Sequence, residues 1–255
     1  MMAAIEILHI TDCHLLHTPG ARLAGHDVAA RFDAVCRQAL ADHPAADAVV
    51  LGGDLVDDES AAGYRWLDAY VAAWHRPVLA VAGNHDAPQT MADCLSHCVV
   101  HDTLALPGWR LMGLNSHVLG AAHGRLGTAA LSALDATLGA DATPTLAVVH
   151  HPPVAVGTPW IDAMGLTDAA DLADVLGRHD HVRGILAGHV HQDSTTALGA
   201  CPVWTTPSTM RQFRPGSPDF AEDPSRNPGY RHLRLGPNGE IETRVHRLDT
   251  ARLAP

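Results

Sequence analysis

The stretch "VLAVAGNHDAPQ", residues 78–89, decides how this chain folds: a small, apolar, strand-sized run ends abruptly on a glycine, a carboxamide, an imidazole and a carboxylate. Taken alone, Gly-Asn-His-Asp reads as a turn, because Gly and Asn tolerate positive φ and an Asp side chain bonds readily to nearby backbone. The pattern recurs, however. "AIEILHI" (residues 4–10) runs into "TDCHL" with Asp12 and His14, and "DAVVLG" (47–52) runs into "GGDLVDD" with Asp54. "TLAVVHH" (145–151) ends on His150 and His151, and "VRGILAG" (182–188) leads into His189 and His191.

Working outward, these segments together with "WRLMGLN" (109–115) are short, apolar and bounded by turn residues, as buried strands are. Helical spacing lies between them. Tyr64, Leu67, Val71 and Trp74 follow an acidic start containing Ser60. Leu131, Leu134 and Leu138 lie between Thr128 and Gly139 as caps, and Leu172, Val175 and Leu176 between Thr167 and Gly177. Strands that alternate with helices predict an α/β protein with largely buried sheets. After Gly188, residues 195–198, 201–205, 231–235 and 241–246 read as short strands, for which a second, more antiparallel sheet is expected. A Pro- and Ser-rich stretch of about two dozen residues between them, at about 207–229, is either disordered or functional.

Composition narrows the partners. The 255 residues are 47% hydrophobic and carry a net charge of −11 without a basic run, so a polyanion such as nucleic acid is not expected to bind. No apolar run approaches the ~20 residues that cross a bilayer, and the N-terminus lacks a signal-peptide pattern, so a cytoplasmic protein without membrane contact is expected. The chain is long enough for one core, and a single domain over 1–255 is expected. Monomer and homodimer both remain open. Five cysteines without a CxxC pair read as reduced. Nineteen histidines call for a reason, and neutral imidazole is the commonest metal ligand.

Each polar cluster has a plain structural reading as a turn or strand edge. Five at the carboxyl ends of five strands do not, since ligands of open α/β sheets collect at that edge and converging Asp, His and Asn donors repel without a cation among them. Cys13 lies between two such residues but points away, because positions i and i+2 share a face in extended chain. His9 reads as a core histidine.

The ordered set D-x-H, G-D, G-N-H-D, H-H-P-P and G-H-x-H resembles the calcineurin-like metallophosphoesterases over residues 5–192. "TPWIDAMGL", "GHVHQ", "PSTMRQFRP", "NPGYR" and "VHRL" are similar to the class III bacterial cyclic-AMP phosphodiesterases. The resemblance implies a four-layer αββα sandwich of two mixed β-sheets flanked by helices, and two divalent metal ions, Fe/Mn first and Zn or Co as alternatives. It assigns Asp12, His14 and His191 to one metal, Asn84, His150 and His189 to the other, and Asp54 to both. His151 would support the ligands or face the substrate. His85 would be catalytic, stabilising charge on the phosphoryl group or protonating the departing alkoxide, with its ring oriented by a hydrogen bond to Asp86. Asn84, His85 and His191 would also meet the substrate, with His117 and His123 on the rim. Asn115 stands where many relatives carry Asp, which puts one supporting hydrogen bond in doubt. Arg211, Gln212, Phe213 and Arg214 either wall the nucleotide pocket or pack the loop onto the body, and the packing reading is preferred.

The implied reaction is hydrolysis of a 3′,5′-cyclic nucleotide, cyclic AMP first, to the 5′-monophosphate by a hydroxide bridging the metals. The rival enzyme reading is a broad phosphodiesterase or phosphomonoesterase acting on glycerophosphodiesters or aryl phosphates. A non-catalytic scaffold is disfavoured, because such proteins lose ligands and here every expected position is filled.

Overall fold

The structure, a computed structural model, describes residues 4–249; the outermost residues of the expected 1–255 span lie outside the described residues. Two six-stranded sheets carry the chain. From edge to edge the first runs Ile241–Arg247, Gly229–Leu235, Ile5–Ile10, Ala48–Leu51, Val78–Ala80, Val99–Val100, and the second Ser194–Leu198, Cys201–Thr205, Val182–Ala187, Thr145–Val149, Trp109–Leu114, Thr103–Leu106. Neighbouring central strands are parallel in both, and the antiparallel pairs lie toward the edges.

Period-two alternation explains the layering. Along the first strand, Ile5 and Ile7 pack with Val50, Leu79 and Val81 against Leu111, Leu146, Val148 and Leu186 of the other sheet. Leu8 and Ile10 point the opposite way, onto Phe32, Val35 and Cys36 of the Val28–Asp42 helix and Tyr64, Leu67 and Val71 of the Ala61–Ala72 helix. On the far side, Met112, Val149 and Ile185 meet Leu131, Leu134 and Leu138 of the Gly127–Gly139 helix and Leu172, Val175 and Leu176 of the Ala169–Leu176 helix. The result is helix, sheet, sheet, helix, as the resemblance implied. The described cysteines are all free, and Cys13 is packed into the outer core.

Two expectations need correction. The four late strands do not make a sheet of their own: 194–198 and 201–205 extend the second sheet, whereas Gly229–Leu235 returns to pair antiparallel with the first strand, Ile7 opposite Leu233. Leu233 and Leu235 face the inter-sheet core, so the returning strand both fills that core and covers what would otherwise be an open edge of Ile5–Ile10. Thr128 and Gly139 do not cap their helix either, which includes both and closes on Ala140. The helix begins at Gly127, and Asp168 from the neighbouring turn accepts from Leu126 N at 3.1 Å and Gly127 N at 2.7 Å. Ser60, in the acidic start of the Ala61–Ala72 helix, caps it by accepting from Gly63 N at 3.1 Å.

Candidate metal centre

Five parallel strands end on one edge of the sandwich and deliver their polar residues to one place. Asp12 N donates to Gly53 O (2.9 Å), His14 N to Asp54 O (2.8 Å) and Gly188 N to His150 O (3.0 Å), so the loops are stitched by backbone before any side chain acts. Asp12, His14, Asp54, His189 and His191 all hold positive φ, between 47° and 68°. Left-handed backbone costs a non-glycine residue ~1–2 kcal/mol, and such strain collects where function demands a side-chain direction. Glycine is required beside them. A Cβ on Gly83 would overlap Asp54 Oδ1 and come 2.5 Å from Asp54 N, and one on Gly188 would come 2.7 Å from Asp12 Oδ2.

The ring orientations are set from outside. His14 Nδ1 bonds Asp57 Oδ1 (2.7 Å), His150 Nδ1 donates to Gly52 O (2.8 Å), and His191 Nδ1 donates to Arg211 O (2.9 Å). Each anchor leaves Nε2 as the free lone pair, the tautomer a metal-binding imidazole needs. The three Nε2 atoms converge on two buried carboxylates: His191 lies 3.2 Å from Asp12 Oδ1, His150 3.4 Å and His14 3.8 Å from Asp54 Oδ2, and His14 and His191 are 3.2 Å apart. Ligand atoms of Asp12, His14 and His191 lie within 4.8 Å of one another, as do those of Asp12, Asp54 and His150.

These residues fit a pair of cations. Asn84 Oδ1, His150 Nε2 and His189 Nε2 are buried without a hydrogen-bond partner among the described residues, a costly arrangement that coordination would relieve. Burial opposes ionisation of Asp12 and Asp54, but His191 beside the first and His150 beside the second outweigh it and hold both carboxyls below their usual range. Burial likewise opposes a charge on His150, and Asp54 overcomes it to lift the ring to about 9. Two buried carboxylates thus draw in positive charge, which divalent ions would supply. The mixed oxygen and nitrogen donors, without thiolate, suit borderline ions.

The remaining predicted residues fall differently. His85 is half-exposed, and its Nδ1 lies 3.1 Å from Asp57 Oδ1. The expected Asp86–His85 hydrogen bond is not formed. Asp86 is buried and accepts instead from Leu55 N, Val56 N, Gly83 N and the Tyr64 hydroxyl, tying the Asp54 loop to the Asn84 loop. Asp57 was missed, although "GDLVDD" places it one turn after Asp54, where a loop folding back would bring both carboxylates to one side. His151 is fully buried, its Nδ1 2.8 Å from Ser116 Oγ, and burial pushes its pKa far down. His9 is a core histidine as expected, bonded to Thr206 Oγ1 at 2.7 Å. Asn115 Oδ1 accepts from His117 N at 3.0 Å.

Above the donor cluster lies a cavity of about 170 Å³. Neither His117 nor His123 lines it, against their expected place on the rim; Ala122, next to His123, does. Phe213 and Arg211 line it as well, and Phe213 also packs the loop onto the body against Ile161 and Val190. Gln212 does pack the loop, donating to Ser208 O and accepting from Arg247, and Arg214 is exposed.

A sandwich that gathers paired carboxylates and imidazoles at the ends of its parallel strands is a metal-site protein of the α/β class. More particularly, the chain belongs to the calcineurin-like phosphoesterase family, whose sequence profile matches residues 5–193. It is 36% identical to the 3′,5′-cyclic adenosine monophosphate phosphodiesterase CpdA of Vibrio vulnificus, over 99% of this chain and 93% of that protein. Identity to the CpdA of Escherichia coli K12 is 33%, with the same coverage. A crystal structure of a dimetal phosphatase from Danio rerio shares the fold, with a TM-score of 0.65 and 17% identity over 95% of this chain and 99% of that one. No helix among the described residues is long and apolar enough to cross a membrane.

Proposed function

We propose that the chain is a dimetal phosphodiesterase that opens 3′,5′-cyclic AMP to the 5′-monophosphate. The observation that carries the reading is the set of three imidazoles held at Nδ1 with Nε2 directed at Asp12 and Asp54, beside an Asn84 carbonyl that has no partner among the described residues. The near full-length similarity to CpdA proteins, named for this substrate, supports the choice of diester.

Asp12, His14 and His191 would hold one ion, Asn84, His150 and His189 the other, and Asp54 both; an Fe/Mn pair is the first choice. When bound, such ions polarise phosphoryl oxygens and acidify water. The chain's own residues do the rest. The hydrogen bond to Asp57 first, and the charge of Asp54 with it, lift the pKa of His85 to about 9 against the opposing effect of burial, and so favour the protonated ring. A protonated imidazole beside the cavity can donate to the ribose 3′ oxygen as the P–O3′ bond breaks and the P–O bond to water forms. Arg211 lines the same cavity with its guanidinium paired to Glu222.

Metal analysis of the purified protein with a substrate panel tests this. About two transition-metal ions per chain are expected, with kcat/KM for 3′,5′-cyclic AMP above that for 2′,3′-cyclic nucleotides and an aryl phosphodiester. Cyclic AMP ranking far below the others would replace the proposal with the broad phosphoesterase reading.

A further inference from the structure

We infer that Trp160, Phe213, Phe220 and Arg211 form a stacking box that selects a purine base; the inference rests on the cyclic-nucleotide reading above and deepens it. The chain has only three phenylalanines, and two of them line the same small cavity as the metal-binding candidates. A third ring joins them. Trp160 meets Phe213 at 5.0 Å and Phe220 at 5.3 Å, both edge-on at 75°, and Phe213 meets Phe220 at 5.6 Å. Phe213 also lies flat on His191, ring centroids 4.1 Å apart and 7° from parallel, so the aromatic wall grows directly out of a ligand side chain. A base that stacks there sits one ribose away from the phosphate.

The box is built rather than incidental. Arg211 Nη1 bonds Glu222 (2.8 Å), which places its guanidinium 5.6 Å from the Phe213 ring centre and 5.3 Å from that of Phe220. Phe213 bridges to Glu222 through backbone, and Gly216 N donates to Thr158 Oγ1 (3.0 Å), pinning the loop to the segment that bears Trp160. That segment is fixed in turn by Asp162, which accepts from Val156, Gly157 and Thr158 N.

Two features point to a ligand. Phe220 is 54% exposed, one of two large apolar side chains so exposed among the described residues, and it stands on the wall of the cavity. The Trp160 indole N–H and Arg211 Nε–H are buried with no acceptor among the described residues. Apolar faces together with donors that lack acceptors suit a flat heteroaromatic ring rich in acceptor nitrogens, and a bicyclic purine offers more stacking area than a pyrimidine.

Steady-state kinetics of the metal-loaded enzyme on 3′,5′-cyclic AMP and 3′,5′-cyclic UMP tests the box, with bis(p-nitrophenyl) phosphate as a third substrate. Phe220→Ala, at an exposed position, should raise KM for cyclic AMP about tenfold with a much smaller change in kcat, and shrink the preference over cyclic UMP. Trp160→Phe keeps a ring and removes the N–H, and should raise KM about threefold or more. Both variants should keep the wild-type metal content. KM and base preference unchanged in both variants, with cyclic AMP still well cleaved, would overturn the box and leave the proposed activity standing. A wild-type enzyme that cleaves the aryl diester but hardly touches cyclic AMP would remove the activity itself, and the base site with it.

Discussion

His85 Nδ1 stands 3.1 Å from Asp57 Oδ1, and the same oxygen is 2.7 Å from His14 Nδ1, so one carboxylate orients both the proposed acid and a metal-binding candidate. Their roles separate by mutation. His85→Ala should keep the metals and lower turnover by ~10²–10⁴. Asp57→Ala should lower turnover and also weaken metal retention, because His14 loses its anchor; loss of an outer partner of this kind costs ~10–100-fold in metal affinity. Metal titration beside kcat for the two variants decides the matter, and an Asp57→Ala protein with wild-type metal affinity would detach it from His14.

Asp54 has a different reach. Its carboxylate faces His14 and His150 and accepts from His85 N at 2.9 Å, so removing it takes away a group that reaches both halves of the cluster. Asp54→Ala should drop bound metal from about two ions per chain to one or fewer and turnover by ~10³-fold or more, while circular dichroism stays native. Undiminished metal content would show that Asp54 does not bridge.

Asp86 should be a stability residue rather than a catalytic partner. Asp86→Ala leaves the N–H groups of Leu55, Val56 and Gly83 and the Tyr64 hydroxyl without their buried acceptor, which should cost about 3–5 kcal/mol in urea unfolding. His85→Ala, at a half-exposed position, should cost less than about 1 kcal/mol. Equal unfolding midpoints for the two variants would contradict the division of labour.

The contrast between His85 and Asp86 shows what was legible in the sequence. The strand cores and the polar residues at their ends followed from apolar runs broken by Gly, Asp, His and Asn, and that pattern is local. Which neighbour a side chain chooses is not. Asp86 adjoins His85 in the chain, yet the turn sends it into the protein to bind backbone 30 residues away, and the partner of His85 comes from another loop. The same limit hid the return of Gly229–Leu235 to the first strand, since nothing within 229–235 names its partner. Phe213 and Arg211 were visible as residues, but only the folded loop shows that they stand beside His191.

Gly83 tests how tightly the edge is built. Its missing Cβ lets the Asn84 loop lie against Asp54, so Gly83→Ala must push that carboxylate aside. Metal affinity should fall at least ~10-fold with secondary structure retained. A fully metallated Gly83→Ala protein would mean the loops can separate freely.

Acid should weaken the fold through His101. This ring accepts from Ala82 N at 2.7 Å just ahead of the Gly83–Asn84 turn, and burial first, His117 second, lower its pKa to about 4 from an unfolded value of 6.5. Above pH 6.5 the ring is neutral in both states and its contribution is complete. Between 6.5 and about 4 the unfolded chain binds the proton and the folded one does not, so stability falls as pH drops. By pH 5 the loss should be about 1–2 kcal/mol, moderated by the ring's partial exposure. Melting of the metal-free protein at pH 7.5 and pH 5 measures it, with His101→Gln retaining an acceptor for Ala82 N but no titration. The variant should lose a few degrees less than wild type over that interval; an identical loss would place the acid sensitivity in other groups.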